Sequence, residues 1–195
     1  MSSRVSTADD VDRLRAGGYD LLARPPTAET LRIVAAIRGD DSPFGQALNR
    51  LADVASDRTV QQVEREYHHL FIGLTHGELL PFASYYLTGF LNEKPLARLR
   101  ADMQALGIER VPDVSEPEDH IAALCEMMAG LILGRFGEPA DPAAQQRFFD
   151  RHLASWAGRF FADLERAEHA LLYRPVGTVG RLFLGIEAEA FALAG

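Results

Sequence analysis

Residues 115–133, SEPEDHIAALCEMMAGLIL, carry the reading that decides the fold class. Ile121, Leu124, Cys125, Met128, Leu131 and Ile132 fall at i, i+3, i+4, i+7, i+10 and i+11, a single stripe of 3.6-residue period that an amphipathic helix turns toward a core. Ser115 and Glu118 stand three residues apart in the order of a capping box, which predicts that the helix starts there and that Asp119 and His120 occupy its first turn. The helix dipole favours carboxylates at such an end by about 0.3–1 kcal/mol each, so capping accounts for Glu118 and for Asp119. It does not account for His120. A cation at a helix N-terminus is disfavoured, so this imidazole must be neutral or held by an acidic neighbour. A structural and a functional reading of Glu116, Glu118, Asp119 and His120 both stand at this point.

The same period runs outward in both directions. Upstream, Thr7 is expected to cap a helix running to about Ala23, with Val11, Leu14 and Leu21 or Leu22 inward, stopped by Pro25-Pro26. Thr27 opens a second helix closed by Gly39. Ser42-Pro43 starts a third, with Phe44, Ala47, Leu48, Leu51 and Val54 as its stripe. Thr59 and Gln62 form a capping box for a fourth helix carrying Val60, Val63, Tyr67, Leu70 and Phe71 up to Gly73. An ordered loop, THGELLPF, follows, then helices over 84–91 and 95–106, the latter with Leu96, Leu99, Met103 and Leu106 inward, and a polar loop, RVPDVSEPE. Downstream, Asp141 caps one long or two abutting helices containing Phe148, Phe149, Leu153, Trp156, Phe160, Phe161 and Leu164. A last helix follows Tyr173-Arg174-Pro175 and ends near Leu193. No alternating strand pattern and no repeat interrupts this, so the expectation is an all-α, single compact multi-helix domain of about nine or ten helices spanning residues 1–195.

Composition narrows the function. A chain of 195 residues with 47% hydrophobic residues can bury one sizeable core. Its 20 Lys and Arg against 28 Asp and Glu give a net charge of -8, which repels a phosphate backbone and suits a cationic partner; no nucleic acid is expected. Cys125 is the sole cysteine, so no intramolecular disulfide, Cys-based zinc site or CxxC motif is available, as fits a reducing compartment. The N-terminal MSSRVSTADDVDRLR lacks the apolar run of a secretory signal, and no stretch reaches the roughly 18 apolar residues that span a bilayer, so a cytoplasmic location without membrane insertion is expected.

Catalytic signatures are absent: there is no GxxxxGK[ST], GxSxG or HExxH. Glu66 and His69 read as ExxH, half of a di-iron ligand set, but the second copy is missing, and His76-Gly77-Glu78 lacks the PCxxC that a zinc deaminase requires. No enzyme activity, cofactor or metal is therefore expected, and His68 and His69 otherwise mark a half-exposed helix end.

Four elements in order now carry a resemblance. EPEDH at 116–120 is similar to the E(P)xDH signature of the TorD/DmsD/NarJ-like redox-enzyme maturation chaperones. Tyr67-His68-His69-Leu70-Phe71-Ile72-Gly73 resembles that family's aromatic-xx-LFxG segment, followed by Leu80-Pro81-Phe82 and a helix ending in Gly89. Phe149-xx-His152-xxx-Trp156 resembles its FxxHxxxW element, and residues 173–183 are also similar, so the likeness spans about 60–190. One departure is Pro81-Phe82-Ala83-Ser84, where many members have Pro-x-Glu-Ser; a role resting on that glutamate does not carry over. PFASYYLTGFL looks like a subgroup found beside formate dehydrogenases. The resemblance implies a compact helical TorD-like chaperone, monomer or homodimer. Its partner would be the twin-arginine signal peptide and apo-form of a molybdopterin oxidoreductase, with formate dehydrogenase the indicated client. It would assist cofactor insertion and proofreading before export. Guanidinium forks need carboxylates and the apolar stretch needs aromatic walls. Glu116 and Asp119 are the expected carboxylates, with His120 orienting Asp119, and Tyr67, Leu70, Phe71, Pro81 and Phe82 the expected groove, with core packing the alternative for Leu70 and Phe71. A helical-bundle metal-dependent enzyme and an assembly subunit for folded protein are the alternative functions.

Overall fold

The computed structural model describes residues 3–73, 76–110 and 115–194; residues 74–75 of the expected ordered loop and 111–114 of the expected polar loop lie outside them. Among the described residues the fold is all-α, with ten α-helices, one π-helical turn and no strand. No described helix is long and apolar enough to cross a membrane. By Cα proximity the chain forms two compact units, each built from two stretches: residues 1–23 with 82–155, and 24–81 with 156–195.

The first unit centres on α7 (Ile121–Leu133), whose Ile121, Leu124, Cys125, Met127, Met128, Ala129, Gly130, Leu131 and Ile132 are all buried. Such burial on every side is what an almost uniformly apolar helix requires. Against it lie α1 (Ser3–Ala23) and α8 (Pro142–His152), the latter capped by Asp141, whose carboxylate accepts from the Ala144 N–H at 2.7 Å. α5 (Ala83–Thr88) and α6 (Lys94–Ala105) complete the unit. Leu96, Leu99 and Met103 are buried as expected, while Leu106 is half-buried and Gly107 takes the left-handed φ of 69°.

Three expectations fail in this unit. α1 begins at Ser3, so Thr7 lies inside the helix rather than capping it, and Val11 and Leu14 are 54% and 76% exposed. The buried face is Ala16, Tyr19 and Ala23, where small residues beside one ring let α1 approach α7 closely. The helix expected over 84–91 stops at Thr88 because Gly89, at φ 83°, closes it in the left-handed conformation. The Ser115–Glu118 capping box does not form: α7 starts at Ile121 and His120 is its N-cap.

The second unit holds α2 (Ala28–Ala35), α3 (Pro43–Ser56), α4 (Val60–Tyr67), α9 (Ala157–Arg166) and α10 (Tyr173–Ala194). Thr27, Ser42 and the complete Thr59–Gln62 capping box start their helices as read. α2 ends at Ala35 rather than Gly39, because the Gly39 peptide is tied to Asn49: its N–H donates to Oδ1 at 2.8 Å and its carbonyl accepts from Nδ2 at 3.1 Å. In α3 the buried residues are Gly45, Ala47, Leu51, Ala52 and Ala55, with Phe44, Leu48 and Val54 half-buried. Beyond Tyr67 the backbone widens into a π-helical turn, His68–Ile72, that periodicity alone does not reveal, and Gly73 ends it at φ 62°. α10 packs along α9 and α3; a Cβ on Gly180 would lie 2.5 Å from the Phe161 ring, so glycine permits that approach.

Candidate functional site

Phe82, Glu116, Asp119 and His120 belong to the first unit, and Tyr67, Leu70, Phe71 and Pro81 to the second, so the boundary falls at the Pro81–Phe82 peptide. Each set has its own geometry.

In the first unit the EPEDH segment holds the start of α5. Phe82, the α5 N-cap, makes no side-chain cap. Asp119 supplies one from 35 residues away: its carbonyl accepts from the Ala83 N–H at 3.0 Å and its Oδ2 from the Ser84 N–H at 2.7 Å. Phe82 and His120 form an antiparallel bridge with their rings 5.2 Å apart, edge to face. Asp119 is 1% exposed, and its other oxygen, Oδ1, is buried without a hydrogen-bond donor; among the described residues the other buried side-chain polar atom without a partner is Arg58 Nε, which lacks an acceptor. Glu116 is exposed.

His120 is neutral. Its Nδ1 accepts from the Ala122 N–H at 3.1 Å, which leaves the proton on Nε2. Burial pushes the imidazole below its ordinary value against the pull of Glu116 and Asp119. The helix therefore meets no cation at its N-terminus, and the imidazole itself replaces the expected serine cap. Glu118 is committed elsewhere, to Arg100 and Arg110. Burial pushes its carboxyl up, but its own backbone N–H and the two guanidinium groups hold it below the usual range. Just beyond the anchored start of α5, Tyr85, Leu87, Phe90 and Leu91 are exposed, an apolar run that helical periodicity does not single out.

In the second unit Leu70 is fully buried and Pro81 is buried, while Tyr67 and Phe71 are half-buried. Tyr173, which the sequence points to only through resemblance, joins them: ring centroids lie 5.0 Å apart for Tyr67–Phe71, 5.3 Å for Phe71–Tyr173 and 6.1 Å for Tyr67–Tyr173. Burial, with Tyr67 and Glu66 adding to it, pushes the Tyr173 phenol above its ordinary range, so it stays a neutral donor. Glu66 is buried. Its Oε1 accepts from the Leu171 and Tyr173 N–H groups, both at 2.7 Å, and its Oε2 from Leu172 at 3.1 Å, capping the N-terminus of α10.

That placement takes Glu66 out of the ExxH reading, and His69 instead stacks on His169 at 5.1 Å. Glu78 likewise accepts from the His169 ring and from the backbone N–H groups of Glu168 and His169; burial raises its pKa, but these donors leave it lowered overall. Of the FxxHxxxW element, Phe149, His152 and Trp156 are all buried, with His152 Nε2 on Asp102 at 2.7 Å. Among the described residues no group of three or more His, Cys, Asp or Glu is placed to hold a metal ion.

Residues 38–162 match the family model described as nitrate reductase delta subunit. The chain is 32% identical over 124 residues to the chaperone protein TorD of Vibrio cholerae, covering 59% of this chain and 54% of that one. It is 31% identical over 107 residues to TorD of Aliivibrio salmonicida, covering 51% and 50%. The match thus spans about half the length of these relatives. A crystal structure from Archaeoglobus fulgidus, described as a redox enzyme maturation protein, superposes with a TM-score of 0.60 at 22% identity. It covers 89% of this chain and 93% of its own, and supports the all-α fold.

Proposed function

Because the chain belongs to the nitrate reductase delta subunit family, in which the TorD- and NarJ-like proteins group, we propose that it is a maturation chaperone for a redox enzyme rather than an enzyme itself. Its ligand is the twin-arginine signal peptide of a molybdopterin-dependent apoprotein, which it holds while cofactor is inserted, proofreading the client before export. A formate dehydrogenase is the client the sequence favours.

The observation that carries this reading is Asp119 Oδ1. A desolvated carboxylate oxygen without a donor costs free energy that an arginine N–H would recover, and it lies in the segment singled out for that role. Exposed Glu116 adds attraction, and the exposed Tyr85, Leu87, Phe90 and Leu91 of the same unit offer apolar surface for the rest of the peptide.

The test is calorimetric titration of wild type and Asp119→Asn with the twin-arginine leader peptide of a formate dehydrogenase and with its Lys-Lys counterpart. Asparagine keeps an oxygen for the Ser84 N–H but removes the charge. Wild type should prefer the Arg-Arg peptide, and the variant should lose about 2–5 kcal/mol of that binding, as for a desolvated charged pair. If Asp119→Asn binds both peptides as tightly as wild type, the segment is a helix anchor and nothing more.

A further inference from the structure

Arg98 stands one helical turn before Asp102 on α6, the spacing at which an arginine and an aspartate pair on a helix face. That pair does not form. Both Asp102 oxygens are taken from α8: Oδ1 accepts from Arg151 Nη1 at 3.1 Å and Oδ2 from His152 Nε2 at 2.7 Å. Arg98 is exposed, and its guanidinium makes no hydrogen bond or ion pair among the described residues. With Arg151, His152, Leu87 and Pro95 it lines a cavity of about 230 Å3, wholly within the first unit.

Two guanidinium groups therefore stand against one carboxylate. His152 adds no charge, because burial lowers its pKa against the pull of Asp102. The cavity carries a local excess of one positive charge in a chain of net charge -8. One further carboxylate balances it, whereas a doubly charged phosphate overshoots. A guanidinium fork presents two parallel N–H groups to the two oxygens of a carboxylate, and Leu87 and Pro95 offer hydrocarbon to the stem that carries it. Leu87 also belongs to the exposed apolar run of Tyr85, Phe90 and Leu91, so the cavity adjoins a surface suited to apolar neighbours of that acid.

We propose that this cavity receives the side-chain carboxylate of a glutamate, flanked by apolar residues, from a partner polypeptide, with Arg98 as its fork and Arg151 shared between that carboxylate and Asp102. A cationic leader peptide is repelled here, so the site lies outside the twin-arginine reading and stands or falls without it.

The test is a titration of the full-length, 15N-labelled protein, followed at the arginine Nε–H resonances. The probes are acetyl-Leu-Leu-Glu-Leu-amide, its Gln counterpart, acetyl-Leu-Leu-Leu with a free C-terminal carboxylate, and inorganic phosphate. The Glu peptide should bind saturably, shift the Arg98 resonance, and bind about three- to tenfold more tightly than the Gln peptide. Arg98→Gln should remove that preference, and Arg98→Lys, which keeps the charge without the fork, should keep only part of it. Arg98 is exposed, so the unfolding midpoints of both variants should match that of wild type. Equal binding of the Glu and Gln peptides overturns the proposal, as does an unchanged preference in Arg98→Gln. Phosphate or the free C-terminus binding as tightly as the Glu peptide overturns it too.

Discussion

His120 is the residue whose charge state the fold decides most clearly. Nδ1 can accept from Ala122 only while unprotonated, and a proton there would also set a cation against the first turn of α7. Because its folded pKa lies below the ordinary 6.5, the unfolded chain binds the proton more readily. Its contribution to stability is complete above 6.5 and is lost as pH falls from there toward the folded value. His152 acts in the same direction, since burial lowers its pKa against the pull of Asp102. Glu78, Glu118 and Glu165, held below 4.5, withdraw their contributions only in more acid solution. The urea midpoint should thus be flat from about pH 8 to pH 7 and fall between about pH 6.5 and pH 5. His120→Asn, whose amide oxygen can still cap Ala122, should show a shallower fall. An unchanged slope in that variant would place the titration elsewhere.

At the scale of elements, two helices are started by carboxylates from distant parts of the chain. Glu66 satisfies three backbone N–H groups ahead of α10, so Glu66→Ala leaves three buried or half-buried donors without an acceptor. The loss should be about 3 kcal/mol or more in chemical denaturation, with faster amide exchange at Leu171, Leu172 and Tyr173, and Glu66→Gln should lose less because one oxygen remains. A Glu66→Ala variant within about 0.5 kcal/mol of wild type would deny the capping role. These long-range caps also mark where sequence reading stopped. Thr59–Gln62, Ser42–Pro43 and Asp141 were legible because their partners lie within four residues. Glu66 and Leu171 are 105 residues apart, and no local pattern joins them. The SEPE box failed for the same reason: Asp119 is drawn to Ser84, which leaves His120 to start the helix. On α1, hydrophobic size favoured Val11 and Leu14, but close approach to α7 selects the small face around Tyr19.

For the molecule as a whole, the all-α class and the order of the helices were legible throughout, since apolar spacing repeats in every segment. The candidate site was legible in part. EPEDH and the aromatic-xx-LFxG segment lead to Asp119, His120, Tyr67 and Phe71. Arg100 and Arg110 carry no signal, because only folding brings them to Glu118. Each compact unit draws on two separated stretches of chain, so neither can be cut out as one segment, and tests belong on the full-length protein. We propose that the chain recognises an apoprotein through its signal peptide. The direct measurement is calorimetric titration of the chain with the apo-formate dehydrogenase precursor and with the same apoprotein after its signal peptide is removed. Saturable binding of the precursor is expected, with at least about a tenfold loss on removal, the equivalent of about 1.4 kcal/mol. Equal binding of both forms would contradict it and would make the chain an assembly subunit for folded protein.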